Sequence, residues 1–136
     1  MKVVVDTNII IDHLRGIPQA TKQLQEIENG NFEGLISTVV IMELLAAPKP
    51  KISEKRLVAI NNLLQIFEHL PVDGQIATVA GNLLSQYRAS HGLEPMDALI
   101  GATALVNDAV LFTLSKKHFK FIKGLVTIDP YLVEED

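Results

Sequence analysis

The first fourteen residues, "MKVVVDTNIIIDHL" (1–14), contain the change of pattern that decides the fold. Residues 3–5 are an uninterrupted β-branched run, which is typical of a strand buried on both faces. From Ile9 onwards apolar residues recur at helical spacing, so the strand gives way to a helix within about two residues. Asp6 stands at this junction, where open α/β sheets bind their ligands. An aspartate is also a common N-cap of a helix, so both interpretations of Asp6 stay open.

The rest of the chain alternates helices with short strands. Helical spacing predicts helices over residues 8–15, 18–28, 39–45, 53–68, 73–90 and 96–107. Strand-like segments are predicted at 70–72, 109–114 and 124–129. Strands and helices that alternate through short connections indicate a parallel sheet covered on both faces. We therefore expect a single α/β domain over residues 1–136.

Composition limits the functions open to the chain. At 136 residues it can bury a core without a disulfide or a structural metal. The absence of cysteine excludes thiol catalysis and cysteine-ligated zinc. Its apolar stretches are too short or too interrupted to span a bilayer, and its start lacks the order of a signal peptide. We therefore expect a cytoplasmic protein with no membrane association.

The charged residues are unevenly distributed. The net charge of −4 argues against a general nucleic-acid coat. However, four of the twelve lysines and arginines lie in "KPKISEKR" (49–56), and four lie in "KKHFKFIK" (116–123). Such segments either contact phosphates or form ordinary solvated surface, and the sequence leaves both interpretations open.

Three carboxylates stand in apolar surroundings. Asp6 ends the first strand, Glu43 interrupts "TVVIMELLAA" (38–47) and Asp97 begins "MDALIGATAL" (96–105). Structural explanations exist: a cap for Asp6, an exposed helix edge for Glu43, and a favourable first-turn position for Asp97. If the three converge, each pair repels by about 4 kcal/mol at 4 Å and an effective dielectric near 20. A cation that prefers oxygen ligands, Mg²⁺ or Mn²⁺, relieves such repulsion and supports phosphodiester hydrolysis.

Four segments of the chain carry a family resemblance. They are "VVVDTNIIIDHL" (3–14), "STVVIMELL" (37–45), "PMDALIGATAL" (95–105) and "LFTLSKKHF" (111–119). In this order they resemble the PIN-domain ribonucleases, particularly the VapC-type toxins of toxin–antitoxin pairs. The resemblance implies a three-layer α/β/α PIN-like domain with a central parallel sheet. It also implies an endoribonuclease that uses Mg²⁺ or Mn²⁺, with Asp6, Glu43 and Asp97 as catalytic metal ligands.

The fourth segment departs from the family's pattern at Ser115. The family often has a further acidic or amide residue there, and a hydroxyl adds no negative charge. This difference leaves open whether one or two metal ions bind. Supporting roles at the site are predicted for Thr7, Asn8, Thr113 and Ser115. The candidates for contacts with RNA phosphates are Lys116, Lys117 and His118, although a histidine beside Phe119 also suits a structural role.

The resemblance implies partners as well as a substrate. RNA is the expected substrate, a cognate antitoxin protein is expected to cover the acidic site, and the chain is expected to form a homodimer. A phosphatase with an aspartyl nucleophile is disfavoured, because it requires a second aspartate where Asn8 stands. The remaining alternative is a catalytically weak PIN scaffold that binds RNA or a protein partner, since Ser115 weakens the fourth position.

Overall fold

A five-stranded parallel sheet forms the centre of the molecule. The computed structural model describes residues 1–46 and 53–132. The strands are β1 (Lys2–Val5), β2 (Glu33–Ser37), β3 (Glu68–Leu70), β4 (Val110–Phe112) and β5 (Thr127–Ile128). Their order is β3-β2-β1-β4-β5, and every pairing is parallel. In the central strand, Val4 pairs with Leu35 of β2 and with Leu111 of β4.

Helices cover both faces of the sheet. They are α1 (Thr7–Leu14), α2 (Pro18–Glu28), α3 (Thr38–Leu45), α4 (Glu54–Leu64), α5 (Gly74–His91) and α6 (Pro95–Val106). The first two helices pack on each other, and so do α5 and α6. The predicted α/β/α architecture with a central parallel sheet is confirmed. No helix within the two described ranges is long and apolar enough to cross a membrane.

Local side-chain chemistry fixes where most helices begin and end. The Ser37 hydroxyl accepts a hydrogen bond from the backbone N–H of Val39 at the start of α3. The carboxylate of Asp73 likewise accepts from the N–H of Ile76 at the start of α5. That helix ends at Gly92, which adopts the left-handed conformation with φ of 70°. Such caps satisfy backbone groups that have no partner inside the helix.

The strand prediction failed on one side of the sheet. Strand β2 is absent from the sequence-based assignment, and β3 lies at 68–70 rather than 70–72. The reason lies at Gly34, a residue type that is unfavourable inside strands. A Cβ atom at this position would lie 2.5 Å from Cγ2 of Ile27 and 3.1 Å from Cδ1 of Phe67. Glycine is therefore required here by packing, and it hides the strand from a propensity argument.

The core lies on both faces of the central strand. Val3, Val4 and Val5 are at most 1% exposed, as the β-branched run predicted. Helix α1 adds Ile9 and Ile10, which are also fully buried. Because β1 is held between two neighbours and buried on both faces, the residue that follows it has a fixed position. That residue is Asp6.

Candidate active site at the carboxyl edge of the sheet

Asp6 is held at the end of β1 by bonds to both of its carboxylate oxygens. Its side chain is the N-cap of α1, where Oδ1 accepts a hydrogen bond from the N–H of Thr7 at 2.8 Å. Oδ2 accepts from the hydroxyl of Thr113 at 2.8 Å. Only 6% of the residue is exposed. Asp6 is therefore a helix cap, and it also presents its carboxylate at the edge where ligands bind.

Thr113 fixes Asp6 from the neighbouring strand. It follows β4 and is completely buried. Its Oγ1 accepts a hydrogen bond from the N–H of Ser115 at 3.0 Å, so its own proton points to Asp6. Because the hydroxyl is used in both directions, the Asp6 carboxylate has one orientation. The prediction that Thr113 reaches the site across the sheet agrees with this geometry.

Thr7 connects two of the three predicted carboxylates. Its N–H binds Asp6, and its hydroxyl donates to Oε1 of Glu43 at 2.7 Å. Thr7 is buried, and Glu43 is half-buried on α3. Glu43 therefore does not lie on an exposed helix edge, which was the structural alternative for this residue.

Asp97 completes the group from the first turn of α6. Burial is the largest cause that raises its pKa above the ordinary value of an aspartate, to about 6. The negative charge of Asp6 is the next cause, and those of Glu43 and Glu94 add to it. The ring of His118 opposes the shift, with Nδ1 lying 3.6 Å from Oδ2 of Asp97. The three predicted carboxylates thus share one electrostatic environment.

The pKa of Asp6 is raised as well. Burial is the main cause, and it outweighs the hydrogen bonds from Thr113 and Thr7 and the charge of His118, which lower the pKa. Two acids in one pocket therefore ionise less readily than ordinary carboxylic acids. Such perturbed groups in a cleft are typical of functional sites.

These side chains line one open pocket of about 300 Å³. The lining residues are Asp6, Thr7, Asn8, Ile11, Glu43, Asp97, Ser115 and His118. We call this cavity the acidic pocket. A larger cavity, of about 540 Å³, is lined by Phe32, Phe112 and Tyr131 among others and contains none of the three carboxylates. The acidic pocket is therefore the smaller of these two cavities, but it is the one that holds the three carboxylates.

Comparison with known protein families and relatives identifies the family of this chain. The PIN-domain model matches residues 3–123. The chain belongs to the PIN-domain family. It is 38% identical over 122 residues to Ribonuclease VapC19 of Mycobacterium tuberculosis, a match that covers 89% of this chain and 94% of the relative. Ribonuclease VapC10 of the same species is 35% identical over 124 residues, covering 90% of each.

Solved structures of similar fold match this chain over nearly its whole length. A toxin–antitoxin complex from Klebsiella pneumoniae contains a chain with a TM-score of 0.74 and 26% identity to this one. The match covers 96% of this chain and 99% of that one. The resemblance to VapC-type PIN proteins is therefore confirmed.

The donor atoms around the pocket of this PIN domain suit a hard cation. Apart from His118, its polar side chains offer oxygen atoms or, at Asn8, an amide. In residues 1–46 and 53–132, no three Asp, Glu or His side chains form a ready-made metal-binding group. However, Mg²⁺ retains several waters and is usually held by one or two carboxylates, so the donor chemistry fits a hydrated ion.

The remaining predicted residues lie at or near the mouth of the pocket. Lys116 and Lys117 are exposed in a short 3-10 turn that ends at His118. The His118 side chain is 51% exposed, and it is the neighbouring Phe119 that enters the core. His118 is therefore not a core histidine, and its contact with RNA phosphate stays a prediction. Lys49 and Lys51, in the other basic segment, lie outside the described residues.

Sequence reasoning missed one lining residue of the pocket. Ile11 lines the pocket, and its spacing of four residues from Thr7 on α1 was the available signal. For Glu94, the sequence left open an approach to the site or an ordinary solvated position before Asp97, and its charge contributes to the raised pKa of Asp97. Asp129, interpreted as a turn residue, accepts a hydrogen bond from the N–H of Tyr131, as such residues do.

Proposed function

We propose that this PIN-domain protein is a Mg²⁺- or Mn²⁺-dependent endoribonuclease and the toxin component of a toxin–antitoxin pair. The observation that carries the proposal is the grouping of Asp6, Glu43 and Asp97, which helps to raise the pKa of Asp97 to about 6. Like charges held this close need a counter-charge, and the pocket contains no lysine or arginine. The relatives named as ribonucleases support the same activity.

The three carboxylates would hold the metal, and Ser115 and Asn8 would bind water attached to it. When bound, the metal supplies an activated water and stabilises the charge that develops on the phosphate. Because Asp6 and Glu43 are both fixed through Thr7, their separation is set by the protein. Such preorganisation avoids a cost of reorganisation during the reaction.

The basic residues at the mouth would orient the substrate. His118 lies on the pocket wall, and Lys116 and Lys117 are exposed on the turn that precedes it. Phosphate oxygens accept hydrogen bonds from such donors, so an RNA backbone would be drawn towards the carboxylates. The net positive charge of this turn also offsets the repulsion between RNA and the acidic pocket.

A protein partner would cover the pocket. Helix α3, which carries Glu43, exposes Met42 and Leu45 at 49% and 45%. Exposed apolar side chains beside a functional pocket are typical of protein contacts. The toxin–antitoxin complex among the structural neighbours supports an antitoxin as the partner. A homodimer is also part of the proposal.

Cleavage assays of purified protein test the proposed activity. A mixed-structure RNA is incubated with Mg²⁺, Mn²⁺ or EDTA, and the wild type is compared with Asp6→Asn and Asp97→Asn. Loss of a metal-held phosphate contact should slow cleavage by about a thousandfold, equivalent to several kcal/mol. Asp12→Asn is the matched control, because Asp12 also lies on α1 but accepts a hydrogen bond from Tyr131 outside the pocket.

The same assay decides between the enzyme and the scaffold. Cleavage that requires metal, is lost in both variants and is retained by Asp12→Asn supports the nuclease. RNA binding without cleavage or metal response would contradict it and favour the catalytically weak scaffold, for which Ser115 is the supporting observation.

A further inference from the structure

Three aromatic rings form a cluster on the outside of the molecule, where α5 ends. The ring of His91 stacks on Phe121, with centroids 4.4 Å apart and planes inclined by 23°. Tyr87 packs edge-on against His91 at 5.7 Å and is itself buried. Ser90 Oγ lies 2.7 Å from Nδ1 of His91. His91 is exposed, so its ring is held on one face and at its edge while solvent reaches the opposite face.

The stretches of chain that carry these rings contain positive charges, and Glu94 lies just beyond the first of them. Residues 74–93 and 109–128 contain no aspartate or glutamate, in a protein whose net charge is −4. The cations of these two stretches are all exposed: Arg88, Lys116, Lys117, Lys120 and Lys123. We call His91, Phe121, Arg88, Lys120 and Lys123 the aromatic–basic surface.

The aromatic–basic surface is joined to the acidic pocket by a short anchored segment. His118 lies beside Asp97 in the pocket, and Phe121 follows three residues later. Between them Phe119 is fully buried, and the N–H of Lys120 donates to the carbonyl of Lys116. Three residues span at most about 11 Å even when fully extended, so the two regions are neighbours.

We propose that the aromatic–basic surface binds the single-stranded RNA that flanks the phosphate in the acidic pocket. This inference rests on the proposed ribonuclease function. A base would stack on the open face of His91, and the backbone would follow the cations of Arg88, Lys120 and Lys123. Aromatic stacking together with a basic track is the usual way in which proteins hold single strands without reading their sequence.

Charge and exposure favour RNA over a protein partner at this surface. Of the exposed aliphatic side chains, Val126 lies within residues 109–128, whereas Met42, Leu45 and Val58 lie outside both stretches. A surface with five cations nearby and no carboxylate in its own segments suits a polyanion. The fixed ring of His91 adds a contact that is specific to a planar base.

Binding without cleavage provides the test. Fluorescence anisotropy in EDTA measures the affinity of the full chain for a labelled, random-sequence, twelve-nucleotide single-stranded RNA. His91→Ala and Phe121→Leu should each weaken binding about tenfold, a typical loss for one stacked base. Phe121→Leu keeps an apolar side chain where Phe121 packs, and His91 is exposed, so the two variants check each other for folding defects.

The lysines are tested by the salt dependence of binding. Lys120→Gln combined with Lys123→Gln should reduce the slope of log affinity against log salt by about 1.4, at about 0.7 per single-strand phosphate. Lys2→Gln combined with Arg15→Gln removes two exposed cations elsewhere, Lys2 being at the opposite end of β1, and should leave the slope unchanged.

Each outcome bears on the inference. Weaker binding in the ring and lysine variants, with unchanged melting temperatures and unchanged cleavage of a four-nucleotide RNA in Mg²⁺, supports it. Wild-type affinity in all variants overturns it and leaves the proposed ribonuclease function standing. If the wild type binds no RNA in EDTA but cleaves the four-nucleotide RNA in Mg²⁺, the inference fails and the proposed function stands; if it neither binds nor cleaves, both fail.

Discussion

The acidic pocket and the aromatic–basic surface share one segment of chain but are built in opposite ways. In the pocket, Asp6 at the end of β1 and Glu43 on α3 are held by hydrogen bonds from the buried hydroxyls of Thr113 and Thr7. On the surface, the long side chains of Arg88, Lys120 and Lys123 are exposed to solvent. The chemical step needs atoms in fixed positions, whereas holding a strand tolerates motion. Rigidity is therefore concentrated where bonds would be broken.

The two regions also differ in how strongly their like charges repel one another. Exposed lysines repel one another weakly, because water and salt screen them. The carboxylates of the pocket are partly desolvated, and their mutual repulsion raises the pKa of Asp97. The pocket therefore reduces the stability of the metal-free protein, whereas the surface has little effect on it.

Among changes that disturb only the orientation of the Asp6 carboxylate, removing the hydroxyl of Thr113 should slow RNA cleavage most. Thr113→Val keeps the shape but leaves Oδ2 of Asp6 without its donor and the N–H of Ser115 without its acceptor. We expect cleavage to slow by about 10- to 100-fold, as for other groups that position metal ligands. Stability should fall by about 1–3 kcal/mol in urea denaturation, because buried polar groups lose their partners.

Thr113→Ser is the control for this prediction. It restores the hydroxyl and should recover most of the activity while losing one buried methyl group. Cleavage of RNA by Thr113→Val at the wild-type rate would show that the acidic pocket does not need a fixed Asp6 carboxylate. The contrast with the aromatic–basic surface would then be wrong.

A change of charge at Asp97 should alter stability in a manner that depends on pH. Its pKa is raised from the ordinary aspartate value of 3.8 to about 6, so the native state binds more protons than the unfolded state between these pH values. The free energy of unfolding therefore falls as pH rises from about 4 to about 6. Above about pH 6 the whole of this decrease is present. A shift of this size is worth at most about 3 kcal/mol, or about 1–2 kcal/mol once screening by solvent is included.

Asp97→Asn in EDTA should accordingly be more stable than the wild type by about 1–2 kcal/mol at pH 8, and equal to it near pH 4. Urea denaturation at both pH values measures this difference. Added Mg²⁺ should reverse the order at pH 8, because a ligand stabilises the state that binds it. A stability difference that is the same at both pH values would contradict the charge-repulsion account.

The smallest effect is expected at the turn between the two regions. Lys116→Gln combined with Lys117→Gln removes two exposed charges without touching a buried contact. We expect KM to rise about threefold to tenfold with kcat unchanged, because surface ion contacts are each worth up to about 1 kcal/mol. Steady-state cleavage at low and high salt measures this effect, with Lys2→Gln as the control. A fall in kcat would place these lysines functionally in the acidic pocket.

Much of the fold follows from local patterns in the sequence. The β-branched run at 3–5 predicts the central strand, and Ser37, Asp73 and Gly92 mark helix ends where the structure has them. Strand β2 was missed because Gly34 is selected by its contact with Ile27 across the layers, which leaves no local signal. Tertiary contacts of this kind override propensity.

The sequence predicts which carboxylates form the candidate site, but it does not predict the hydrogen bonds that connect them to their neighbours. Unpaired carboxylates in apolar segments single out Asp6, Glu43 and Asp97 without any structure. The bond from Thr7 to Glu43 spans 36 residues and the bond from Thr113 to Asp6 spans 107, so no spacing rule reveals them. The stacking of His91 on Phe121 is likewise invisible until α5 is seen to end beside residues 119–123.

The parallel pairing of β1 with β4 has a consequence for the timing of synthesis. Asp6 leaves the ribosome early, but its partner Thr113 follows 107 positions later. At about 5–20 residues per second, this interval lasts roughly 5–20 s. Until then β1 lacks one of its two neighbours, and the carboxylate at its end has no fixed orientation. Any protein that captures the nascent chain therefore has several seconds in which to act before the acidic pocket exists.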